Sequence, residues 1–126
     1  MTDKKKVLVV EDEAAVALAL TDALTAEGFA VSVAKEGESG LAMALAEHPD
    51  LILTDLRMPG MDGITMIDKL HEDSWGRDAN IIILSNASDL DTLKSAMEHN
   101  TFHYMVKGDN SMADIVAAVK KQLLLS

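Results

Sequence analysis

An alternation of short apolar β-type runs with stretches of helical periodicity constrains this chain more than any other feature. Five short β-type runs, VLVV (7–10), FAVSVA (29–34), LILT (51–54), IIIL (81–84) and FHYMV (102–106), are separated by stretches with helical spacing. Three of the runs are nearly continuous apolar segments, which suits strands covered on both faces, as in a parallel sheet. Val16, Ala19, Leu20, Ala23 and Leu24 recur at helical spacing, and Gly28 stops that helix. A second helix is expected over 38–48, with Leu41 and Leu45 in its apolar stripe and Pro49 ending it. Ile64, Ile67 and Leu70 mark a third. Ser88 with Asp91 reads as a capping box for a fourth, carrying Leu90, Leu93 and Met97. Ser111 with Asp114 does the same for a fifth, carrying Ile115, Val119 and Leu123. The order βαβαβαβαβα predicts an α/β fold, a doubly wound five-stranded parallel sheet with five helices on its two faces.

The 126 residues fit one domain, and no linker or repeat divides them, so a single domain over 1–126 with no second domain is expected. The absence of cysteine excludes disulfides, thiol catalysis and Cys-type zinc sites. A net charge of −10 repels phosphate backbones, which argues against direct nucleic-acid binding. No apolar run is long enough to cross a bilayer and the start lacks a signal-peptide core, so the expectation is a cytoplasmic protein with no membrane contact.

Open parallel sheets bind ligands outside the carboxyl ends of their strands, where the strand order reverses. Strand one delivers Glu11, Asp12 and Glu13 there; strand two, Ala34 and Lys35; strand three, Asp55; strand four, Ser85 and Asn86; strand five, Lys107 and Gly108. Clustered carboxylates in a partly buried cleft repel one another and titrate together. A hard cation such as Mg²⁺ resolves that repulsion, because it takes oxygen ligands, one or two of them carboxylates, and keeps several waters. Lys107 and the Ser85 hydroxyl are the complementary groups for an anionic phosphoryl group, and a carboxylate can itself be a nucleophile.

Four segments, VLVVEDE (7–13), PDLILTDLRMPGMDG (49–63), IIILSNASD (81–89) and YMVKGD (104–109), occur in this order. Together they resemble the response-regulator receiver domain of two-component signalling, over the whole chain. The resemblance implies a flavodoxin-like sheet in the order 2-1-3-4-5. It implies that Asp55 is the phospho-acceptor. Asp12, Asp55 and the backbone carbonyl of Arg57 would hold Mg²⁺, with Glu11 acting through water. Ser85 and Lys107 would contact the phosphoryl oxygens, and Ser85 and Tyr104 would form the switch. A histidine kinase or phosphotransfer protein would donate the phosphoryl group. The face built from the fourth helix, fifth strand and fifth helix would meet an unidentified downstream protein. The implied state is a monomer or a phosphorylation-dependent dimer. Such a domain is not a turnover enzyme; it assists its own phosphorylation and dephosphorylation.

Three positions depart from the family pattern. Gly108 stands where Pro usually follows the lysine, Asn86 where a small residue follows the hydroxyl, and Asn100-Thr101 where a Gly-Ala pair is common. Gly108 and Asn86 are expected to alter phosphoryl lifetime. Two other functions compete. A Mg²⁺-dependent phosphohydrolase of the haloacid-dehalogenase type needs a second Asp two positions after its nucleophile, where this chain has Arg57. A pseudo-receiver that takes no phosphate would not need the acidic cluster. Leu18 lies opposite the first helix's apolar stripe, and Leu124 and Leu125 crowd the end of the fifth; partner contact is the sharper reading of these, scattered surface apolars the blander one. His48, His71, His99 and His103 show no metal-ligand spacing and are expected at the surface or at helix ends.

Overall fold

The structure is a computed structural model that describes residues 4–100 and 102–125, with side chains through 123. Thr101 and the side chains of Leu124 and Leu125 therefore lie outside the described residues.

The strands are β1 (Lys6–Val10), β2 (Ala30–Ala34), β3 (Leu51–Asp55), β4 (Ile81–Ser85) and β5 (His103–Val106). They alternate with α1 (Ala14–Ala26), α2 (Gly37–Glu47), α3 (Gly63–His71), α4 (Leu90–Met97) and α5 (Met112–Leu125). All neighbouring pairs are parallel, in the order β2-β1-β3-β4-β5. The flavodoxin-like 2-1-3-4-5 architecture is thus the observed one.

Strand side chains alternate between faces, and that alternation splits the core in two. Leu8, Val10, Ile52, Ile81 and Ile83 pack with Met66, Ile67 and Leu70 of α3, Ala44 of α2 and Leu93 of α4. Val7, Val9, Leu51, Leu53, Ile82 and Leu84 pack with Leu20 and Leu24 of α1 and Ile115, Val119 and Leu123 of α5. Every residue of β3 and β4 is buried, which is why these strands read as unbroken apolar runs.

Several local expectations hold. Gly28 has φ +95° just after α1, a left-handed position that glycine occupies without steric cost. The Ser111–Asp114 capping box forms, with Asp114 N–H donating to Ser111 Oγ at 3.1 Å and Ser111 N–H donating to Asp114 Oδ2 at 2.8 Å. His48, itself left-handed at φ 50°, closes α2 immediately before Pro49.

Other expectations fail for identifiable reasons. The Ser88–Asp91 capping box is not what opens α4. A 3₁₀ turn over Ala87–Asp89 precedes the helix, Asp89 takes the cap position without capping through its side chain, and its carboxylate is engaged by Arg57 instead. The stripe on α2 is only partly leucine-based: Leu41 is half-buried against the core as expected, but the buried residues are Gly37, Gly40 and Ala44, and Leu45 is exposed. The helix lies so close to β1 that a Cβ on Gly40 would fall 2.9 Å from Val10 Cγ2. Met97 on α4 is likewise exposed. His71 ends α3, as expected of a helix-end histidine, but its ring is half-buried, with Nδ1 3.0 Å from Asn100 Oδ1. Asn100 also donates to Asp68 Oδ1 at 2.7 Å, so this departure from the family pattern ties the end of α4 to α3.

Candidate functional site

The site lies at the carboxyl edge of the sheet, where β1 leads to β2 on one side and faces β3 on the other. Sequence reasoning stops β3 at Thr54 and β4 at Leu84. Both strands run one residue further, so Asp55 pairs with Leu84 and Ser85 with Val106 inside the sheet. Ladder pairing on rigid strands therefore aims the two key side chains.

The loop after β3 must then turn away at once. Asp62 caps α3 through its Oδ1, which accepts Thr65 N–H at 2.8 Å. Gly63, the first helical residue, packs on the backbone of Asp55: a Cβ there would lie 2.7 Å from the Asp55 carbonyl oxygen. The Asp-Gly pair of the motif thus lets α3 begin directly behind the acidic residue.

Glu11, Asp12 and Asp55 each present one carboxylate oxygen within 4.8 Å of the others. Lys107 Nζ stands 3.2 Å from Asp55 Oδ1 and 3.7 Å from Glu11 Oε2. Asp55 Oδ1 also accepts the Leu56 N–H at 3.0 Å, and Glu11 Oε1 accepts the Glu13 N–H at 3.2 Å. Glu11 is only 1% exposed, and its Oε2 is buried without a hydrogen-bond partner among the described residues. The hydroxyl of Ser85, also 1% exposed, is another buried orphan. Asp55, Asp12, Lys107 and Asn86 line one cavity of about 300 Å³. Tyr104 lies apart, opposite Ile83 in the sheet register and half-buried against the α2–α3–α4 face.

Burial pushes the Glu11 carboxyl from its ordinary 4.5 up to about 7, and the Asp55 charge adds to the rise, while the Glu13 N–H and Lys107 oppose it. Burial likewise raises Asp55, with Lys107 opposing. For Lys107, burial disfavours the ammonium, but the charge and hydrogen bond of Asp55, helped by Glu11 and Glu13, outweigh it and hold the pKa above its ordinary value. Three carboxylates with oxygens within 4.8 Å of one another, one of them on a buried acid that resists ionisation and carries an orphaned oxygen, fit a hard divalent cation, which would favour the charged forms.

The raised Glu11 value has a definite sign. The folded state holds the Glu11 proton more tightly than the unfolded state, so that contribution is complete below pH 4.5, declines as pH rises toward about 7 and is gone above it. Without metal at pH 8, Glu11→Gln is therefore expected to be more stable than the parent by about 1–3 kcal/mol. Near pH 4.5 the difference should vanish. Thermal denaturation in EDTA across this range checks it, and a Gln variant less stable at pH 8 would refute it.

Two supporting side chains escape a reading of the sequence alone. Asn110 Nδ2 donates to the Val106 carbonyl at 2.9 Å and braces the loop that carries Lys107. That loop is one 3₁₀ turn, Lys107–Asp109, in which a Cβ on Gly108 would meet nothing within 4 Å. Asp89, buried beside the cavity, pairs with Arg57. Its only sequence signal is a carboxylate four residues after a strand-end hydroxyl. Lys35, delivered by β2, is exposed and is not among the residues lining the cavity.

The description of the response regulator receiver domain matches residues 7–120. The probable transcriptional regulator ycf27 of Porphyridium aerugineum is 36% identical over 104 residues, 82% of this chain and 42% of that protein. The transcriptional regulatory protein PrrA of Mycobacterium tuberculosis is 33% identical over 118 residues, 94% of this chain and 49% of that protein. The chain thus spans about half the length, or less, of these curated relatives. A response regulator receiver domain protein from Clostridium thermocellum superposes with a TM-score of 0.85 at 25% identity, covering 94% of each chain. Among the described residues no helix is long and apolar enough to cross a membrane. Fold, edge chemistry and relatives agree, and the chain belongs to the response regulator receiver domain family, a signalling module of two-component systems.

Proposed function

We propose that Asp55 is the phospho-acceptor of a two-component phosphorelay, taking a phosphoryl group from phosphohistidine on a histidine kinase or phosphotransfer protein. The observation that carries this reading is the 3.2 Å approach of Lys107 Nζ to Asp55 Oδ1 inside a cluster of three convergent carboxylates. An Asp55 oxygen attacks phosphorus, an O–P bond forms and the P–N bond breaks. The electron pair of that bond leaves on the imidazole, which departs neutral with a proton on one nitrogen. Asp12, Asp55 and the Arg57 carbonyl would hold Mg²⁺, with Glu11 acting through water. When bound, Mg²⁺ supplies positive charge opposite the phosphoryl oxygens. Lys107 orients the acceptor and meets the developing charge, and the orphaned Ser85 hydroxyl donates to a phosphoryl oxygen.

Ser85 and Tyr104 then form the switch that alters the face of α4, β5 and α5 for a downstream protein, as a monomer or a phosphorylation-dependent dimer in the cytoplasm. Tyr104 pairs with Ile83 and Ser85 with Val106, two positions apart along the β4–β5 ladder.

Incubation with Mg²⁺ and acetyl phosphate, followed by intact mass measurement, tests the reading. The expected result is a gain of one phosphoryl group that EDTA prevents. An unchanged mass favours an interaction module that takes no phosphate. Sustained turnover of phosphate esters favours a phosphohydrolase.

A further inference from the structure

Beside the acceptor cavity, one ion pair has no part in the roles above. Arg57 leaves the loop two residues past Asp55, and its Nε, at 2.9 Å, and Nη2 both donate to Asp89 Oδ1. Asp89 occupies the position just before α4, where its N–H donates to the Asn86 carbonyl at 3.0 Å. The two partners differ sharply in environment. The Arg57 side chain is 73% exposed, whereas that of Asp89 is 1% exposed. Asp89 Oδ2 is buried with no hydrogen-bond partner among the described residues. Both residues line the cavity that contains Asp55 and Lys107. The pair therefore ties the loop after β3 to the start of α4, across the wall of the acceptor cavity.

The chemistry of this tie is lopsided. A buried carboxylate is tolerated only when paired and hydrogen-bonded, and half of this one is unsatisfied. Its charged partner is a guanidinium whose side chain is mostly in water. Guanidinium groups bind phosphate with two parallel hydrogen bonds, at least as well as they bind carboxylate. A phosphoryl group on Asp55 would place a dianion in the same cavity, two residues from the arginine.

We propose that Arg57 is a phosphoryl-binding residue held in reserve by Asp89. A phosphoryl group on Asp55 draws the guanidinium off Asp89, and the released carboxylate turns out to solvent, shifting the start of α4. Chemistry at β3 thereby reaches α4 through a side-chain exchange additional to any made by Ser85. The coupling is reciprocal: whatever strengthens the Arg57–Asp89 pair opposes occupation of Asp55. This inference rests on the reading of Asp55 as the acceptor.

Beryllium fluoride with Mg²⁺, a tetrahedral stand-in for a phosphoryl group on a carboxylate, is the probe. Binding is followed by fluorine NMR and the pair by the Arg57 Nε–H resonance. With fluoride bound, that resonance and the amides of residues 89 to 92 are expected to shift together. Arg57→Gln is expected to weaken binding of the probe about tenfold, and Asp89→Asn to tighten it about threefold by releasing the guanidinium. Arg57→Gln placed on Asp89→Asn should still weaken it, which a merely structural pair would not do. Bound fluoride with the Arg57 Nε–H and the start of α4 unmoved overturns the proposal while leaving Asp55 as acceptor. No bound fluoride in the parent protein overturns the acceptor reading, and this proposal with it. The resonance measurement needs no substitution, so a variant that fails to fold does not shield the idea.

Discussion

Asp55→Asn is expected to take up no phosphoryl group from acetyl phosphate, a loss of at least about 10³-fold in acceptor rate. The amide has the shape of the carboxylate but lacks its nucleophilic charge. Its neighbours cannot replace it well. Glu11 is buried, and burial alone still raises its carboxyl once the Asp55 charge is gone, while Asp12 sits exposed at the start of the loop. Folding should survive the change. Burial disfavours the Asp55 charge, and Lys107 keeps Glu11 within 3.7 Å when Asp55 becomes neutral. The melting temperature in EDTA at pH 8 is thus expected to be equal to or above that of the parent. Intact mass and thermal denaturation on the same sample check both halves. A variant that still gains one phosphoryl group would move the acceptor to another carboxylate.

Lys107→Ala is expected to slow phosphorylation by acetyl phosphate by about 10²-fold, the scale associated with deleting one preorganised donor to developing charge. A second consequence separates this from a general loss of structure. Among the described residues Lys107 is the cation within 4 Å of both Asp55 and Glu11, so its removal leaves two carboxylates facing each other. Their pKa values should rise further, since Lys107 opposes the upward shift of each. A raised carboxyl pKa makes the folded state bind protons more tightly, so the metal-free variant should lose stability more steeply than the parent as pH rises from 5 to 8. Stopped-flow phosphorylation and a pH series of melts test the two effects. A slow variant with the parent's pH profile would place Lys107 outside the acidic cluster's electrostatics.

Much of the fold is legible because it rests on local signals. Short apolar β-type runs and period-3.6 patterns mark the elements, and Gly28, Pro49 and the Ser111–Asp114 box mark their ends. The failures share a cause. Leu45 and Met97 fit a helical stripe, yet the depth of each helix against the sheet decides which residues are covered. For α2 that depth comes from Gly40, which lets the helix approach Val10 of β1 more closely than a larger residue would, while Gly37 packs on the backbone of Met61. The Ser88–Asp91 box has the right spacing, but a long-range partner, Arg57, engages the intervening Asp89. A capping motif is worth about 1 kcal/mol, and a tertiary demand of similar size overrides it.

The candidate site divides the same way. Glu11, Asp12, Asp55, Ser85 and Lys107 are readable because a parallel sheet sends each strand's carboxyl end to one edge, so their order along the chain fixes their meeting place. By itself, then, the sequence determined the alternation of elements, the doubly wound class and the set of charged groups at that edge, since these follow from local periodicity and chain direction. Only the tertiary structure decided which oxygens lack partners, how far burial raises Glu11 and Asp55, and that Arg57 reaches across the cavity to Asp89. Those properties depend on the distance and desolvation between residues far apart in the chain, which no local pattern encodes.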